Sequence, residues 1–156
     1  MKVLLVSANT LTQPYPVYPL GLDYVAGAIA DRHQVRILDM NAKDDENVLF
    51  TVIDGFAPDV IGMSIRNVDT SDASNPKGFF AGYKELTAGM RVRSSAAIIL
   101  GGSGFTIFPG ETMRALGADF GIIGEGERLV PLLEALEGRR DAASISGVVT
   151  QHSPVV

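Results

Sequence analysis

Strand-length apolar runs alternate with helix-period stretches along almost the whole chain, and this alternation limits the fold more than any other feature. The candidate strands are Lys2–Val6, Gln34–Leu38, Asp59–Ser64, Ala96–Leu100, Asp119–Ile123 and Ser146–Thr150. Between them, Leu22, Val25, Ala26 and Ile29 recur at helical spacing, as do Leu49, Val52, Ile53 and Phe56, and then Leu129, Leu132, Leu133 and Leu136. Each set puts one apolar stripe on one helix face. A further helix is predicted from Phe79, Tyr83, Leu86 and Met90, and Pro109 can open a short one that Gly117 closes. Strands alternating with helices predict an α/β fold: a flavodoxin-like, doubly wound parallel sheet of order 2-1-3-4-5 in three αβα layers, with an extra sixth edge strand. Residues 1–150 are expected to form this domain, with 151–156 starting a linker to a further domain.

Composition narrows the function. The 156 residues are 46% hydrophobic, enough to bury a core. Thirteen Lys+Arg against eighteen Asp+Glu give a net charge of −5 without a basic stripe, which argues against nucleic acid or an anionic membrane as partner. No apolar run approaches the roughly 20 residues of a membrane span, so a cytoplasmic protein is expected. There is no cysteine, hence no disulfide, zinc-thiolate site or iron–sulfur cluster held by this chain. The two histidines, His33 and His152, lie far apart in sequence and make a poor basis for a metal site.

In such a sheet, ligands bind outside the carboxyl ends of the strands near the switch in strand order. The loops there are Ser7-Ala8-Asn9-Thr10-Leu11-Thr12, Ile65-Arg66-Asn67-Val68-Asp69-Thr70, Gly101-Gly102-Ser103-Gly104 and Gly124-Glu125-Gly126-Glu127. Glycines let backbone approach a bulky ligand, although a tight strand-to-helix turn needs them as well. No Gly-Lys-Ser/Thr follows, which excludes a Walker loop, and no glycine fingerprint follows the first strand, which excludes the dinucleotide motif. Ser7 and Ser64 stand where a phosphoacceptor domain needs acids. The Ser/Thr-rich first loop suits an FMN phosphate, but Pro14-Tyr15-Pro16-Val17-Tyr18-Pro19 is expected to carry the chain away before a helix can offer its dipole. Arg66 needs an anion, or a salt bridge to Asp69, Glu125 or Glu127. Glu125 and Glu127 also suit the first turn of the last helix. Asp39 reads as a surface acid and His33 as a loop residue.

Four segments occur in one order: Pro19-Leu20-Gly21-Leu22, Pro58-Asp59-Val60-Ile61-Gly62-Met63-Ser64-Ile65-Arg66-Asn67, Leu100-Gly101-Gly102-Ser103-Gly104 and Gly124-Glu125-Gly126-Glu127. As a set they resemble the N-terminal cobalamin-binding domain of B12-dependent radical SAM proteins, from Lys2 to about Val149. The resemblance implies cobalamin across the carboxyl edge of the sheet. Its dimethylbenzimidazole nucleotide tail would run down between strands and helices, against Gly101–Gly104 and with Ser64 at the matching serine position. Ser7, Asn9, Thr10, Arg66 and Asn67 would face the corrin, and Gly124, Glu125 and Gly126 would complete the site.

On this reading the glycine loop is bare because a large, flat cofactor slides against its backbone, so a bulky residue at Gly102 should block the cofactor and spare the fold. Methionine-synthase-type domains carry Asp-x-His-x-x-Gly after the first strand. Here the place reads Ser7-Ala8-Asn9-Thr10-Leu11-Thr12, which implies base-off binding with no histidine on the cobalt. The Cys-x-x-x-Cys-x-x-Cys motif is missing too, so SAM and a 4Fe-4S cluster would belong to a radical SAM domain following Val156, most simply in a methyltransferase. The other reading is a flavodoxin-like domain binding FMN or a nucleotide sugar.

Overall fold

The computed structural model describes residues 1–12, 14–42, 47–66 and 78–151. The strands are β1 (Lys2–Ser7), β2 (Gln34–Asp39), β3 (Val60–Ser64), β4 (Ala97–Gly101), β5 (Phe120–Ile122) and β6 (Val148–Thr150). The helices are α1 (Leu20–Ile29), α2 (Val48–Phe56), α3 (Gly78–Arg93), α4 (Ser103–Ile107), α5 (Pro109–Leu116) and α6 (Leu129–Glu137). The sheet order is β2-β1-β3-β4-β5-β6. All neighbours pair in parallel except β5 and β6, which are antiparallel. This is the expected flavodoxin-like sheet, its sixth strand added at the β5 edge.

Parallel strands buried on both faces read as apolar runs because neither face meets water. Leu4, Val6, Ile61, Met63, Ile98 and Leu100 point to one face, under α2, α3 and α5. Val3, Leu5, Val60, Ile99 and Ile122 point to the other, under α1 and α6. In α3, Tyr83 and Met90 are buried and Leu86 half-buried, as the spacing predicts; the side chain of Phe79 lies outside the described residues. Among the described residues no helix is long and apolar enough to cross a membrane.

The amino-terminal edge of the sheet is tied by side chains. Asp119 Oδ2 accepts from the backbone N–H of Ile98 (2.7 Å) and from Arg91 Nη2 (2.7 Å), while Arg91 also donates to the carbonyls of Ala96 and Gly117. Asp119→Ala leaves the Ile98 N–H without its acceptor, while Arg91 keeps the two carbonyls, and is expected to cost about 1–2 kcal/mol in urea unfolding. A loss below ~0.5 kcal/mol would mean that water replaces the carboxylate at no cost.

His33 occupies the turn between α1 and β2, as expected of a loop residue, but it is buried. Its side chain is 3% exposed, and Nδ1 lies 3.4 Å from the N-terminal amine and 3.5 Å from Glu137 Oε1. It closes the amino-terminal edge of the sheet.

Candidate functional site

A cleft of about 770 Å³ opens at the carboxyl edge, on the α1/α6 face of the sheet. Strand register builds its floor. Ser7 pairs with Ser64, and Ser64 with Gly101, so two serines and a glycine stand side by side on three adjacent strands, all lining the cleft. One side-chain layer deeper the same strands contribute Leu5, Gly62 and Ile99. Side chains alternate faces along a strand, so both layers point the same way. The upper layer is a polar shelf of small residues. Below it lies an apolar shaft, walled by Val25 of α1, Leu129 of α6 and Ile122 of β5.

The rim comes from the loops and from α1. Asn9 is 5% exposed, and its Oδ1 accepts from the N–H of Leu11 (3.2 Å), which pins the turn after β1. The proline-rich approach does not keep α1 away, as the sequence had suggested: Pro19, Leu20 and Gly21 line the cleft. The amides of Leu20, Leu22 and Asp23 already donate to the carbonyls of Tyr18 and Pro19, so little of the helix terminus is left for a phosphate. The Tyr18 hydroxyl at the mouth has its pKa raised, first by its hydrogen bond with Asp23, then by slight desolvation and by the negative charges of Asp23 and Asp39, and it stays protonated.

Glu125, Gly126 and Glu127 close the far wall through a 3₁₀ turn at Gly126–Arg128, whose glycine lets Val25 pack close. Arg128 turns away, donating to the carbonyls of Ser146 (3.0 Å) and Ile123 (3.0 Å). That leaves Arg66 as the one basic side chain lining the cleft among the described residues. Among those residues it has no ion pair with Glu125 or Glu127. Asp69, the third partner considered, and Asn67 lie outside the described residues.

Of the other expected site residues, Ser7, Asn9, Ser64, Gly101, Gly102 and Ser103 converge on the cleft, as do Gly124, Glu125 and Gly126. Thr10 is exposed and Gly104 is buried, and neither lines it. The glycine loop is also shorter than expected, because Ser103 already begins α4. Its bareness has an internal cause. A Cβ on Gly102 would lie 2.6 Å from the Ile65 carbonyl oxygen, and one on Gly104 would lie 2.8 Å from that of Arg66. These glycines let the start of α4 press against the backbone leaving β3, so room for a ligand is not their first role.

Sequence reasoning missed the shaft residues Leu5, Gly62, Ile99 and Val25. Gly62 carried the available signal, since a lone glycine inside an apolar strand marks a close approach.

A family model described as the B12 binding domain matches residues 6–134, from the end of β1 into α6. The chain belongs to the B12 binding domain family. Cobalamin is therefore its cofactor class, and the cleft offers a large ring a broad mouth of exposed Tyr18, Leu20 and Tyr24 beside a row of small polar residues at the strand ends.

This B12 binding domain is 29% identical over 97% of its length to a tryptophan 2-C-methyltransferase of Streptomyces laurentii, of which it covers 26%. It is 29% identical over 95% of its length to an uncharacterized methyltransferase of Pyrococcus horikoshii, of which it covers 32%. Among solved structures it resembles the radical S-adenosylmethionine methyltransferase TsrM from Kitasatospora setae, with cobalamin and a [4Fe-4S] cluster bound, at TM-score 0.85 and 30% identity over 96% of this chain and 27% of that one. The chain thus spans about a third or less of the length of these relatives.

Proposed function

We propose that this B12 binding domain holds cobalamin base-off, with no histidine on the cobalt, and presents the corrin to a radical SAM domain of the same polypeptide in a methyl-transferring protein. The observation that carries the reading is the Ser7–Ser64–Gly101 shelf above an apolar shaft. It offers a ledge for the ring and a slot for the displaced nucleotide tail. Asn9 holds the loop after β1 beside the ring, and Arg66 meets its amide fringe or the single phosphate of its tail.

No imidazole lines the cleft among the described residues. His33 stands at the opposite edge of the sheet, before β2 begins. When bound in its methylated form, cobalamin would supply a transferable methyl group. The protein's part is to orient the ring and shield its lower face. Relatives described as methyltransferases, each about three to four times as long as this chain, support the role of a module within a longer enzyme. Residues 1–150 form the module and 151–156 begin the linker. The reading gives it a cytoplasmic setting and no nucleic-acid or membrane partner.

Titration of the chain with hydroxocobalamin tests this. Stoichiometric cobalt after desalting, with a base-off visible spectrum that persists when His33 and His152 are both replaced by Gln, is the expected result. A spectrum that changes in the double variant overturns the histidine-free mode, and retention of FMN in place of cobalamin overturns the cofactor.

A further inference from the structure

The shaft beneath the shelf is chemically one-sided. Its layer of Leu5, Gly62 and Ile99 and its walls of Val25, Ile122 and Leu129 carry no polar side-chain atom. The backbone amides and carbonyls of Leu5, Gly62 and Ile99 belong to the parallel ladders β1–β3 and β3–β4. Polar side chains begin only one layer higher, at Ser7 and Ser64. A group placed among these six residues therefore gives up water and meets no polar side chain in return.

Resting on the cofactor reading above, we propose that this shaft selects the lower base of the corrinoid, accepting dimethylbenzimidazole and rejecting adenine. The two bases are planar and similar in size. Dimethylbenzimidazole carries two methyl groups on the edge away from its sugar. Adenine carries an amino group and two further ring nitrogens. Each is a donor or acceptor that the shaft leaves unpaired, and buried polar groups without partners are the costly ones. Apolar pockets discriminate this way by about 10- to 100-fold. Leu5, Gly62 and Ile99 are the specificity-determining residues, and Gly62 lets the Leu5 side chain lie back against the sheet: a Cβ there would lie 2.9 Å from the Leu5 Cδ2 methyl and push it into the shaft.

Equilibrium binding of three corrinoids to the chain tests the proposal: cobalamin, its adenine-based counterpart, and cobinamide, which lacks the nucleotide. Cobalamin is expected to bind at least about tenfold more tightly than either of the others. Equal affinity for the two complete corrinoids overturns the selection and leaves the cofactor reading standing. Cobalamin no tighter than cobinamide overturns the placement of the tail. Binding of none overturns both readings.

Gly62→Ala gives a second measurement, because the methyl group it would crowd is the free end of a flexible side chain. In that variant cobalamin should weaken toward the affinity of cobinamide while cobinamide itself is unchanged. An unaltered affinity for cobalamin sinks the proposal.

Discussion

Gly102→Val is expected to lower stability by about 2–5 kcal/mol, from backbone strain and overpacking together. For a domain of this size that is a fall in Tm of roughly 5–20 °C. Gly102 has φ +95° and ψ 170°, a region that side chains with a Cβ scarcely enter. The added carbon would also lie 2.6 Å from the carbonyl oxygen of Ile65 and 2.9 Å from Ser64 Oγ. The carbonyl belongs to a backbone already engaged. Ile65 donates its N–H to Gly101 O (2.8 Å) and accepts from Gly104 N (2.9 Å), so neither side can retreat without breaking the seam between β3 and β4.

Cofactor retention should fall with the fold in this variant. The expectation from sequence was the opposite, that a bulky residue here would block the ligand and spare the structure. A thermal scan decides it: a Tm within 2–3 °C of wild type would show that the turn relaxes to accept a side chain, and Gly102 would again be a clean probe of the ligand.

The reason the two readings differ is physical. A turn made of glycines because backbone packs on backbone, and one made of glycines because a ligand packs on backbone, carry the same letters. Elsewhere the physics left distinct marks. Buried parallel strands and amphipathic helices each have their own period, so the strands were legible to within two residues at either end. The direction of β6 was not, because three residues paired to a three-residue neighbour carry no period that tells antiparallel from parallel. Nor was α4, where Ser103-Gly-Phe-Thr-Ile107 is a single turn held by Gly102 and Thr106.

The cleft was half legible. Its shelf lies at strand ends and its rim in the loops that follow, both placed by topology alone, so Ser7, Ser64, Arg66 and Glu125 could be named from sequence as lining residues. Its shaft is made of residues that look like core. Leu5, Ile99 and Leu129 are at most 3% exposed and in sequence cannot be told from Leu4 or Leu100. Only strand register, which puts Gly62 between Leu5 and Ile99 with the Leu5 side chain packed over it, sets them beneath the Ser7–Ser64–Gly101 row.

The neighbouring glycine should behave in the opposite way. Gly101 closes β4 in register with Ser64, and the alternation of side chains that sends Leu100 to the far face sends position 101 into the cleft. A Cβ there would meet nothing closer than the Ile122 carbonyl oxygen, at 3.9 Å, and β-branched residues suit strands. Gly101→Val is therefore expected to hold Tm within about 3 °C while filling the shelf on which the proposed placement sets the corrin. Cobalamin affinity should drop by a factor of about 10–100, or roughly 1.4–2.8 kcal/mol. Binding isotherms and a thermal scan on the same sample separate the two quantities. An unchanged affinity with an intact fold would mean that the cofactor never touches the Ser7–Ser64–Gly101 row, and the placement would have to move outward to Arg66 and Glu125 at the mouth. Loss of affinity at constant Tm here, beside loss of Tm at Gly102, would assign adjacent glycines to different tasks: one keeps the turn closed against β3, and the other keeps the shelf open for the cofactor.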